Sequence, residues 1–186
     1  LSGNSIGGYT AALASAYLNE SINGLILFNS AGLLLNSTLP ISDITTLTSK
    51  YNGPKNFLLQ SIGKVIFYLL QPNIKKLCEW LYVTYPNVVT QNNVDKNIYR
   101  DSCDIGASDV IASGAKLPSP LSMNYILNSF NGPVLISQGA LDPLNDATTR
   151  AYMFKQIRSN ITTDLLQLGH CPMDESPELV ASSINK

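Results

Sequence analysis

The 186-residue sequence predicts an α/β protein, with a parallel doubly wound sheet and a mostly helical insertion. Three observations predict it. Short continuous apolar runs of strand length occur at Gly24-Leu25-Ile26-Leu27-Phe28-Asn29, at Val134-Leu135-Ile136-Ser137 and over 163–168, the pattern of strands buried on both faces of a parallel sheet. Helical patterns alternate with these runs at both ends of the chain. Between them, residues 30–131 break that rhythm. The division expected is therefore 1–29 and 132–186 as sheet core, with 30–131 as a helical cap.

The elements follow in order. Ser2 to Gly8 is a glycine-rich turn, and Tyr9 to Leu18 is an Ala-rich run of good helix formers. Asn19 to Gly24 is polar and turn-like before the first strand. Loop residues dominate from Ser30 to Pro54. Phe57, Leu58, Ile62, Val65, Ile66, Leu69 and Leu70 then recur at helical spacing until Pro72. Ile74, Leu77, Cys78, Leu81 and Tyr82 form a second stripe, closed by Pro86. Shorter helices are expected over 94–101 and 108–115, and Pro118 and Pro120 punctuate the end. After Pro133 comes the second strand, a loop over 138–143, a helix over 148–157 and the third strand. Ser176-Pro177-Glu178 opens a last helix: Ser at the N-cap, Pro at the first helical position, acid in the first turn.

Composition narrows the function classes. The chain is 45% hydrophobic and 13% charged, against roughly 25% charged for an average globular domain, which excludes an extended disordered chain. Twelve basic and thirteen acidic residues give a net charge of -1, without the basic surplus of a nucleic-acid partner. Cys78, Cys103 and Cys171 form no CxxC and cannot all pair, so neither a zinc site nor a disulfide framework is indicated. The uncharged stretch 21–42 is interrupted by Asn, Gly and Pro, and no membrane span is expected. Oligomeric state is not legible.

Gly3-Asn4-Ser5-Ile6-Gly7 is G-x-S-x-G where a turn enters a helix. Such an elbow pushes the serine hydroxyl out of the backbone, and the flanking glycines are expected to avoid clashes. The helix amino end directs the Ile6 N–H toward a developing oxyanion. A serine nucleophile needs a base, and the chain holds one histidine, His170, in the loop Gly169-His170-Cys171-Pro172 after a strand. The third member should be an acid after the preceding strand, holding the imidazole tautomer. Asp142 stands there, in Gly139-Ala140-Leu141-Asp142-Pro143. Asp146 competes from four residues on but reads as a helix cap, and Asp164 and Asp174 fit less well. The order Ser, Asp, His is that of one class of serine hydrolases.

On these residues the chain resembles the α/β-hydrolase superfamily. The match runs over Gly3 to Gly8 with its helix and over Pro133 to Pro177. The stretch Gly169-His170-Cys171-Pro172-Met173-Asp174-Glu175-Ser176-Pro177-Glu178 is particularly similar to plant and algal plastid pheophytinase-like hydrolases. The resemblance implies a carboxyl-terminal part of the fold that starts at the nucleophile elbow. It further implies a Ser5-Asp142-His170 triad, one oxyanion donor from Ile6 N–H, no cofactor or metal, and a hydrophobic ester as substrate. A plastid location follows from the resemblance alone, with the cytoplasm as the alternative. The 186 residues by themselves are expected to be inactive, lacking the second oxyanion donor. A non-catalytic, receptor-like binder of a small ligand and a truncated gene product are the other readings.

Overall fold

The computed structural model describes residues 1–35, 57–113 and 120–185. Four strands, β1 (Ser2–Asn4), β2 (Leu25–Phe28), β3 (Val134–Gly139) and β4 (Ile161–Leu166), form one sheet in that order, every neighbouring pair parallel. Leu27 pairs with Gly3 on one side and Ile136 on the other, and Ile136 in turn with Thr163. Because all strands run the same way, their carboxyl ends, where α/β folds place their sites, share one edge.

The strand β1 is absent from the sequence-based expectation, which has a glycine-rich turn there. Its three residues, Ser-Gly-Asn, carry no apolar run, and only pairing with β2 makes them a strand. β4 begins two residues earlier than expected and ends two earlier. Ile161 packs into the core and defines the start, while Leu168 is buried beyond the last ladder bond.

Two apolar layers flank the sheet. On one face, Ala11 and Ala12 of α1 (Ser5–Leu18), Leu25, Leu27, Ile136 and Phe154 of α8 (Ala147–Lys155) form the main core. Small alanines let α1 lie close to the sheet. The helix α7 (Met123–Asn128) adds Met123, Ile126 and Leu127 to this same core, followed by the fully buried Phe130. The stretch 123–130, at the end of the expected cap, thus packs against α1. On the other face, Phe28, Leu166 and Leu168 meet Val180 of α10 (Pro177–Ile184). Helices on both faces of a parallel sheet make the doubly wound arrangement.

Between β2 and β3 lie α2 (Phe57–Leu70), α3 (Ile74–Leu81), α4 (Asn87–Gln91), α5 (Val94–Ser102) and α6 (Ala107–Ser113). The expected helices at 57–70, 74–82, 94–101 and 108–115 correspond to α2, α3, α5 and α6, and the five-residue α4 had no periodic signal long enough to read. Lys64 of α2 pairs with Asp109 of α6 at 2.5 Å. Cys78, Tyr82 and Val89 form a small separate core, which Cys171 joins from the histidine loop. The loop expected over 30–54, from residue 36 on, and the punctuating Pro118 lie outside the described residues. Asp146 caps α8, accepting from Thr149 N at 3.0 Å. Ser176 stands at the N-cap of α10 with Pro177 first in the helix, but its side chain accepts no capping bond. No helix among the described residues is long and apolar enough to cross a membrane.

Candidate active site

Ser5 is the first residue of α1 and follows β1 directly, so strand becomes helix without a connecting loop. The junction requires a left-handed backbone at Ser5, φ 53°, which costs a non-glycine residue on the order of 1 kcal/mol. Gly3 makes room for it. A Cβ at Gly3 would meet the Gly7 carbonyl oxygen at 2.3 Å, backbone that cannot move aside. The expectation that both flanking glycines avoid clashes is corrected at Gly7, where a Cβ would meet nothing within 4 Å. Gly8 is the second crowded position, against the Ser30 side chain at 2.8 Å. Ile6 is the second helical residue, so its N–H has no intrahelical acceptor and lies at the positive end of the helix dipole.

Asp142 and His170 come together. His170 Nδ1 lies 2.9 Å from Asp142 Oδ2, and both residues are buried. Leu144 N donates to Asp142 Oδ1 at 2.8 Å and Asn145 Nδ2 to Oδ2 at 3.1 Å. Burial works against the charged form of Asp142, but the bonds from His170, Asn145 and Leu144 outweigh it and hold the carboxyl below its usual range. Asp146 points its carboxylate into its own helix start instead, and Asp174 accepts from Tyr82 Oη at 2.6 Å. Among the described residues no hydrogen bond joins the Ser5 hydroxyl to His170.

The backbone of the histidine loop is fixed by groups from four different places. Asn29, buried at the end of β2 with φ 38°, accepts from Gly139 N at 2.8 Å and donates to the Gly169 carbonyl at 2.8 Å. Glu175 Oε1 accepts from Gly169 N at 2.7 Å. His170 N donates to the Leu81 carbonyl at 2.9 Å. Asn4, with its amide oriented to satisfy both neighbours, donates to the carbonyls of Phe28 at 2.9 Å and His170 at 3.0 Å. The residue before the serine is thereby bonded to the histidine itself. A Cβ at Gly139 would meet Gly169 O at 1.9 Å, so glycine is required where the loop crosses β3.

Asn29 and Glu175 were missed as site residues in the sequence. Asn29 carried a usable signal, a polar residue ending an apolar strand and of a type that tolerates positive φ. Glu175 accepts from the backbone N–H groups of Gly169, Thr84 and Tyr85. Beside the histidine, burial first of all pushes the Cys171 thiol up to about 11, which suits packing rather than nucleophilic attack. No group of three His, Cys, Asp or Glu side chains that could hold a metal ion occurs among the described residues.

No protein-family model matches the sequence, and no curated protein matches it. Solved structures do match. A 2-hydroxy-6-oxo-6-phenylhexa-2,4-dienoate hydrolase from Rhodococcus sp. strain RHA1 superposes with a TM-score of 0.67 at 17% identity, over 98% of this chain and 61% of that one. A thermophilic esterase from Thermogutta terrifontis gives 0.65 at 16%, over 100% and 62%. A membrane phospholipase A described as a bacterial virulence factor gives 0.64 at 18%, over 100% and 55%. The chain has the α/β-hydrolase fold. It spans 55% to 62% of the length of these three proteins.

Proposed function

We propose that the full-length protein is a serine hydrolase that cleaves an ester through an acyl-enzyme. The observation that carries this is the buried Asp142–His170 pair at 2.9 Å, on the sheet edge from which Ser5 also rises. The esterase, phospholipase and hydrolase that share its fold support the same reading. Ser5 Oγ attacks the acyl carbon while His170 takes the hydroxyl proton, and Asp142 holds the ring with Nδ1 protonated. Ile6 N–H donates to the oxyanion as it forms. His170 then gives its proton to the leaving alcohol, and a water, deprotonated by the same imidazole, releases the acid and restores Ser5.

The insertion between β2 and β3 acts as the cap over this edge, and its apolar helix α2 favours a hydrophobic substrate. On the resemblance of residues 169–178 to pheophytinase-like hydrolases, the substrate is a bulky hydrophobic ester and the location the plastid. A fluorophosphonate probe on the full-length protein tests the nucleophile. Wild type is expected to label and Ser5→Ala not to. Labelling that persists in Ser5→Ala removes the assignment.

A further inference from the structure

Glu175 is a buried acid whose two oxygens are divided between two parts of the chain. Oε1 accepts from Gly169 N at 2.7 Å, in the residue before His170. Oε2 accepts from Thr84 N at 2.9 Å and Tyr85 N at 3.2 Å, just beyond α3 in the insertion. Three further bonds run between the same two segments: His170 N to the Leu81 carbonyl at 2.9 Å, Tyr82 Oη to Asp174 Oδ2 at 2.6 Å, and Thr84 Oγ1 to the Gln167 carbonyl at 3.1 Å. A Cβ at Gly169 would meet Leu81 O at 2.4 Å and Glu175 Oε1 at 2.5 Å, so the chain must be bare where the segments close on one another.

We propose that residues 81–85 and Glu175 form a clamp that positions His170, with Glu175 as its central positioning residue. The clamp rests on the reading of His170 as the base, and Glu175 touches no reacting atom. A buried carboxyl group is costly unless its lone pairs are used, and here three N–H donors use them. Each donor is backbone, so the group fixes main chain in both segments at once. The histidine loop and the base of the insertion therefore move as one body. Displacing the insertion strips the loop of these bonds and leaves it held from the sheet by Asn4 and Asn29, so the position of the imidazole depends on the insertion being docked.

Glu175→Gln tests this in the full-length protein. The amide keeps the shape but turns one oxygen into a donor, so either Gly169 N or the Thr84 and Tyr85 pair loses its acceptor. The fluorophosphonate labelling rate and kcat for a p-nitrophenyl ester are expected to fall together by about tenfold to a hundredfold. KM should change by less than about threefold, because the acyl pocket is untouched. A folded Glu175→Gln protein that labels at the wild-type rate, with or without a lower Tm, overturns the clamp. If this variant does not fold, Tyr82→Phe decides, since it removes the hydroxyl bond to Asp174 and the hydroxyl's contact with the Cys171 thiol while leaving the ring in place. Its labelling is expected to slow by about threefold, and an unchanged rate overturns the proposal. Ser5→Ala, run beside both, reports on the nucleophile separately: persistent labelling there refutes the hydrolase reading itself.

Discussion

Asp142 shows how one residue's surroundings set its charge state and, through it, stability. Its carboxyl is buried, yet three donors hold it below its usual range. A carboxyl with a lowered folded value contributes stability above its unfolded value, 3.8, and loses it as the pH falls through the lower folded one. Asp142→Asn removes that contribution. Thermal denaturation of the two proteins is expected to differ at pH 7, with the gap closing below pH 3.8. A gap that widens on acidification contradicts the sign. The same variant should lower kcat by roughly 10³ to 10⁴, because an amide in this place stabilises the wrong imidazole tautomer. Ser5, Asp142 and His170 could be picked out as candidates in the sequence because nucleophile, acid and base chemistry is confined to few residue types, and the structure brings Asp142 and His170 together. Asn4, Asn29 and Glu175 could not be picked out, because their partners are backbone groups of distant segments, which no local pattern encodes.

At the scale of elements, the turn from β1 into α1 separates two glycines that look alike in the motif. Gly3 faces a backbone oxygen at 2.3 Å, whereas Gly7 faces open space. Gly3→Ala is therefore expected to destabilise the protein by more than about 2 kcal/mol. Gly7→Ala should stabilise it by about 0.5 to 1 kcal/mol, since alanine loses less backbone entropy in a helix. Urea denaturation of both variants gives the comparison, and equal losses would mean that the elbow is not packed in this way. The strands β2 and β3 were readable because both faces are covered, which selects unbroken apolar runs. The three-residue β1 exists only through its partner. The short α7 and α9 (Pro172–Glu175) depend on tertiary contacts and give periodicity too little length to register.

For the whole molecule, the insertion presents a set of exposed apolar side chains. Leu58, Val65 and Leu69 of α2 are 70%, 59% and 65% exposed, and α6 adds Val110 at 70%. Surfaces of this kind favour ligands whose groups need no polar partner. Specificity constants of the full-length protein are expected to be higher for medium-chain than for acetyl p-nitrophenyl esters. A preference for acetyl would remove the argument from the insertion while leaving Ser5 and His170 in place. The sheet core and the presence of a helical insertion could be read from sequence, since both depend on periodicity. The packing of α7 against α1 could not. Met123, Ile126, Leu127 and Phe130 look the same in sequence whether they face a sheet or a cap.

The order of the strands also acts as a ruler. Ser5 leaves the sheet at β1 and His170 follows β4, three strand spacings or roughly 14 Å away. The histidine loop covers that width in steps, crossing β3 at Gly139, β2 at Asn29 and reaching β1 at Asn4. A strand added outside β1 or outside β4 would leave this span unchanged. A strand inserted between any two of the four would carry the imidazole about 4.8 Å out of range. Growth of this architecture is thus confined to its margins, while its middle keeps a fixed width.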